Sequence, residues 1–279
     1  MKNIFSIIAL LAVGVITANA QITIVTDDDF VNRDTCDIIK YVVNYDMEFV
    51  ENINKLPYEY NKDRMVLQIG EKATLFYSYD KYLADSTNLE IIKRNGTEYV
   101  GSQGASWLLY KNYPKEKYYS YLDQIVRDRY VCHEMVEEPG WQLLSDSTTI
   151  IKEHPCVLAV ADYRGRKWYA WYAEDIPLSE GPWKLCGLPG LILRAYDSEN
   201  QYRFELSGIR NGRPEEVITY IGSEYETVDK KSLDKIYERY YNDPISFLTT
   251  SSNVKITIMD NNGNKMDKMP AIPRNPIER

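Results

Sequence analysis

The residues best suited to chemistry are few: two histidines, His133 and His154, and four cysteines, Cys36, Cys132, Cys156 and Cys186. A Ser–His or Cys–His nucleophile would have to recruit one of those two imidazoles. No G-x-S-x-G elbow is present, and Gly101-Ser102-Gln103-Gly104 resembles one only superficially. Cys132 and His133 are adjacent, so on a strand they point to opposite faces and do not share a metal. No two cysteines stand at a C-x₂₋₄-C spacing, and neither an H-E-x-x-H run nor a phosphate loop occurs. Paired carboxylates can cleave glycosides, and Glu174-Asp175, beside Trp168 and Trp171, is the suggestive pair. Exposed turn residues ahead of Ile176-Pro177 explain it equally well. The residues assign no catalytic group, no cofactor and no metal.

The elements that would carry such groups are mostly strands. Cys156–Ala173 (CVLAVADYRGRKWYAWYA) reads as a hairpin turning at Arg164-Gly165. If Tyr163 opposes Arg166, then Asp162 opposes Lys167 as a cross-strand ion pair. Val157, Ala159 and Ala161 then share a face with Trp168, Ala170 and Tyr172. Small residues opposite large aromatics suggest either a layer filled by its neighbours, the simpler reading, or a concave surface.

The stretch GPWKLCGLPGLIL (181–193) follows, with Lys184 and the Cys186 thiol as its only ionisable groups. A chain leaving the hairpin at Asp175 must cross and re-enter the sheet at Leu191. Prolines fix φ along that path, and glycines supply turns strained for other residues. The stretch reads as a rigid structural buckle or the rim of a cavity. The candidate ligand or partner surface is Trp168, Trp171, Tyr172, Trp183 and Leu188.

Residues 1–20 have Lys2, an apolar run from Ile4 to Ile16 and Ala18-Asn19-Ala20, the plan of a secretory signal peptide cleaved near Ala20. That run is shorter than the ~20 residues of a membrane-spanning helix. The expected location is periplasmic or secreted, with peripheral membrane contact allowed. Losing Lys2 takes the net charge from −8 to −9, which gives no electrostatic footprint for nucleic acid. Four cysteines in an exported chain favour disulfides. They allow three pairings, among which a Cys156–Cys186 bridge would pin buckle to hairpin and leave Cys36–Cys132.

Elsewhere, Cys36–Glu51 reads as one long strand, Met65–Tyr79 as two, and Trp107–Lys111, Tyr118–Leu122, Ile125–Met135 and Trp141–Leu144 as others. Tyr82–Gly104 reads as a polar, mobile excursion; its Asn95-Gly96-Thr97 is a turn or a glycosylation acceptor. Leu191–Tyr196 and Tyr202–Ile209 form a second hairpin, and Val254–Met259 part of a last one. Residues 229–242 predict one amphipathic helix across the sheet, with Ser232 as N-cap and Pro244 as stop. The tail at about 268–279 reads as flexible and outside the core. Residues 21–279 form a single domain, mainly β (α+β), with a curved antiparallel sheet or open half-barrel.

The run KWYAWYAEDIPLSEGPWKLCGLPGLIL closely resembles the defining motif of the GLPGLI family, also called the Porph_ging domain. LQIG, FYS, YKNYP, RGRKWYAWY and the terminal NPIE are similar to that family's layout. The resemblance implies an exported protein of Gram-negative Bacteroidota and brings no established reaction or catalytic residue.

The leading expectation is a non-enzymatic envelope protein that binds an apolar small molecule or an envelope protein. The alternatives are a carboxylate hydrolase using Glu174 or Asp175, and an assembly factor that binds another exported protein at a sheet edge.

Overall fold

The computed structural model describes residues 33–252 except 97 and 127, the pairs 258–259 and 265–266, and residues 271–279. The expected signal peptide, Thr97 and most of the last hairpin lie outside these residues.

Two meanders make one twelve-stranded sheet. The first runs through β2 (Tyr41–Phe49), β3 (Asn61–Ile69), β4 (Thr74–Ser78), β5 (Leu108–Lys111), β6 (Tyr118–Ile125) and β7 (Asp128–Met135). The second runs through β8 (Gln142–Ile151), β9 (His154–Tyr163), β10 (Arg166–Ala173), β11 (Leu191–Asp197) and β12 (Tyr202–Asn211). β2 pairs with β12 and joins them, and β14 (Glu226–Thr227) adds to β7 in parallel. The sheet order therefore puts β7 and β8, consecutive in the chain, near opposite ends.

That order dictates curvature. In a flat sheet ten strand intervals would separate β7 from β8, about 48 Å at ordinary strand spacing. The chain from Met135 to Gln142 spans at most about 25 Å when fully extended. The sheet must curl, and it does: Tyr163 at the end of β9 donates its hydroxyl to Glu137 O at 2.7 Å, and Arg164 pairs with Glu134 of β7 at 2.8 Å. The mainly β, open and curved architecture expected from the sequence is the observed one.

The β9–β10 register is as read from the sequence, Tyr163 opposite Arg166 and Asp162 opposite Lys167. The expected long first strand is instead broken: β1 (Asp34–Ile38) leaves the main sheet to pair with β13 (Val217–Tyr220). β8 runs on past Leu144 through Asp146, with its register shifting between Leu144 and Thr148.

Helices need three corrections. Tyr82–Gly104 is not an excursion throughout, because α1 occupies Tyr79–Lys93, capped by Ser78, whose Oγ accepts from Lys81 N. Its buried residues are Ala84, Asn88 and Ile91, and the polar Asn88 masks the apolar stripe. α2 (Lys230–Asn242) is the expected helix, but Asp229 caps it and Ser232 N is the donor, at 2.7 Å. Pro244 opens a third helix, α3 (Pro244–Ser252), at the position where a missing N–H costs least. Leu233, Tyr237 and Tyr240 of α2 pack with Ile125, Val126, Tyr130 and Cys132 at the β6–β7 end of the sheet. β15 (Ile258–Met259) and β16 (Lys265–Met266) form a separate pair.

Candidate functional site

The buckle fills the concavity. After β10 the chain folds on itself: Leu191 N donates to Ile176 O, Ile192 N to Glu180 O, and Gly187 N to Ser179 O. Gly187 has φ +89°, and a Cβ on Gly190 would lie 2.1 Å from Ala173 O, so glycine is required at both positions. Polar groups across the curl hold the loop. Tyr45 donates its hydroxyl to Ile192 O at 2.8 Å, Trp141 Nε1 donates to Cys186 O at 2.8 Å, and Lys111 pairs with Glu180. Burial raises the Glu180 carboxyl against the pull of Lys111.

This packing buries four of the five residues of the expected binding surface. Trp168 is 0% exposed and Tyr172 1%, and Trp183 and Leu188 are buried beside them. Trp168 packs against Trp183 and Phe204, with ring centroids 5.7 and 6.4 Å away. Trp171 is half-buried and lies on the other face of the hairpin. Aromatics packed this closely on protein have no face left for a ligand or partner. The core-filling reading holds.

Neither expected disulfide forms; all four cysteines are free thiols. Three of them belong to three separate clusters: Cys156 in the main core, Cys132 under α2, and Cys36 against the cluster of Ile218 and Tyr220. Cys186 lies instead on the Tyr119 hydroxyl, 3.5 Å away. Cys36 donates to Ile218 O and Cys156 to His154 O. Burial pushes all four thiols up, Cys36 and Cys132 to about 11, which removes the thiolate that nucleophilic chemistry needs.

Glu174 and Asp175 are both exposed, and Asp175 Oδ2 is bonded to His154 Nδ1 at 2.7 Å. His133 lies 2.9 Å from Ser120 Oγ, whose hydroxyl donates to Tyr113 O; burial and Lys115 lower its pKa. Both effects disfavour the charged imidazolium.

Two features escaped the sequence reading. One is a buried ionic cluster that grips residues 271–279. Arg166 pairs with Asp197 at 2.5 Å, each side chain 1% exposed, and also bonds Asn275, Pro276 and Ile277. Lys184 pairs with Glu134 and Glu278, and Asn275 is itself buried. The expectation that this tail lies outside the core is therefore corrected: its prolines prevent strand pairing, but its polar groups satisfy buried charges. The burial of Glu134 would raise its carboxyl, yet Lys184 and Arg164 outweigh that and hold it low.

The other feature is β8. It forms one end of the sheet and pairs only with β9 among the described residues. All but one of its ten residues are exposed or half-exposed, with Leu143 at 46% and Ile150 at 74%. At the opposite end, β14 is two residues long, and α2 lies beside β7. Charge, proline, short length and bulges are the usual protections of an edge; β8 has Asp146 within its register break between Leu144 and Thr148, and neither proline nor short length.

Comparisons with known proteins give two results. Two solved structures, described as structures of PNGF-II in the P21 and C2 space groups, are similar to this chain. The first has TM-score 0.47 and 13% identity over 71% of this chain, the second TM-score 0.44 and 14% identity over 70%. The chain spans about a third of their length, 32% in each case. No curated protein matches. The segment from Trp141 at the head of β8, through the hairpin and buckle, to Arg194 in β11 bears out the resemblance seen in its motif: residues 141–194 match the family described as "Protein of unknown function (Porph_ging)".

Proposed function

We propose that this chain is an exported binding protein that captures an extended segment of an envelope protein by strand addition to β8. The observation that carries this reading is the ten-residue end strand, paired on one side only among the described residues, with Leu143 and Ile150 exposed. An incoming strand satisfies the unpaired backbone groups of such an edge, and its alternate side chains read the exposed apolar ones. The signal-peptide pattern of residues 1–20 supports the envelope setting. The apolar-ligand version loses its motivation with the burial of Trp168 and Tyr172, and the hydrolase version with the exposure of Glu174 and Asp175.

The test is photo-crosslinking in the native host, with p-benzoylphenylalanine placed singly at Leu143, Thr148 and Ile150, and at Tyr169 as a control. Discrete adducts at the β8 positions are expected, and the adduct from Thr148 should disappear in a Leu143→Lys, Ile150→Lys background. A Thr148 adduct insensitive to that background, or adducts found only at Tyr169, would overturn the reading.

A further inference from the structure

The groove that holds Asn275–Arg279 is built like a peptide-recognition site. Arg166 has five N–H donors, and all five are engaged. Two go to the groove's own Asp197 and Gln201, at 2.5 and 3.2 Å. Three go to the segment: Asn275 Oδ1 at 2.8 Å, Pro276 O at 2.6 Å and Ile277 O at 2.9 Å. Tyr202 donates its hydroxyl to Asn275 O at 2.6 Å, so three successive carbonyls accept from buried donors. The asparagine is read at both ends, because its Nδ2 also donates to Val50 O at 2.8 Å. Glu278 enters the Lys184 cluster, with Arg164 at 3.5 Å and Lys230 at 3.8 Å. Arg279 N donates to Arg164 O, and the Arg279 side chain reaches Glu199 and Gln201. A Cβ on Gly165 would lie 2.6 Å from Arg279 O, so the turn has glycine where the segment passes.

Nearly every one of these contacts is made by a group other than a strand ladder. The segment is held as a ligand would be, by side chains reading its carbonyls, one amide and one carboxylate. Without residues 275–279, three of the five Arg166 donors would lose their protein acceptors.

We propose that this groove is a binding site for an extended Asn-Pro-Ile-Glu-Arg peptide, filled in cis by residues 275–279 and able to take the same sequence in trans. It is separate from β8 and does not rest on the strand-addition reading. The probe is a synthetic Asn-Pro-Ile-Glu-Arg peptide carrying an amino-terminal fluorophore, titrated by anisotropy into full-length protein. The Asn275→Ala chain, whose own segment is weakened, binds it saturably. Wild type binds at least tenfold more weakly because its groove is filled, and a peptide with alanine for asparagine loses at least tenfold on the variant. If Asn275→Ala does not fold alone, recovery of its near-ultraviolet circular dichroism on adding the peptide supports the site. Failure of the peptide to bind or refold Asn275→Ala, together with no binding to a folded Glu278→Ala chain, would overturn it.

Discussion

The stretch from β8 to β11 contains two regions with opposite solutions to the same problem. Around the buckle, apart from the indole N–H groups of Trp168 and Trp183, polar atoms are taken out of water and matched: Tyr45 to Ile192 O, Trp141 to Cys186 O, Lys184 to two glutamates. Along β8, the outer row of backbone groups has no strand partner among the described residues, and Leu143 and Ile150 are exposed beside it. The first arrangement gives stability and hides its side chains from other molecules. The second adds little stability and keeps its groups available. Composition alone would rank them the other way, because the aromatic residues that usually mark an interface are in the buried region.

That contrast can be broken by substitution. Arg166→Met should have the largest effect, costing about 3–5 kcal/mol in urea unfolding, because it strands Asp197 as a buried unpaired charge and frees residues 275–277. Trp168→Ala should cost ~3–4 kcal/mol by the same measurement, through lost burial and the cavity left beside Trp183 and Phe204. Neither should abolish crosslinking from β8 at temperatures where the variant is folded.

A pH titration sharpens the interior half. Burial raises the Glu51 carboxyl, next in sequence to the Val50 carbonyl that holds Asn275, from 4.5 to about 7. A raised carboxyl pKa means that the folded state binds the proton more tightly than the unfolded state. Its stabilising contribution is therefore full below pH 4.5 and is lost as pH rises through about 7. Glu51→Gln should flatten the fall in stability across that window, measured by thermal unfolding at a series of pH values. The smallest stability effect belongs to the edge: Leu143→Lys with Ile150→Lys should stay within about 0.5 kcal/mol of wild type while removing the adduct crosslinked from Thr148. A large destabilisation there would mean that β8 is a structural strand and the contrast false.

Sequence pattern reached some of this and not the rest, for physical reasons. The hairpin register was readable because Arg164-Gly165 sets the turn and the residues alternate with period two. α2 was readable because Leu233, Tyr237 and Tyr240 keep helical spacing. α1 was not, because Asn88 occupies a core position in order to bond Val100 through both amide atoms. The tail groove was invisible because Arg166 and Asn275 stand 109 residues apart, and nothing local marks an arginine as buried. Edge status is a property of sheet order, and β8 is an edge because β7, which precedes it in the chain, lies near the other end of the sheet.

The buried tryptophans have an optical consequence. Trp168 and Trp183 sit ring against ring with neither indole N–H hydrogen-bonded to protein, while Trp141 donates to the buckle itself. The folded chain should therefore emit at short wavelength and resist iodide or acrylamide quenching. Opening the groove or loosening the buckle should move that emission to the red before the far-ultraviolet dichroism of the sheet changes. The molecule thus has its own fluorescent gauge of whether its hollow is filled, readable without any label.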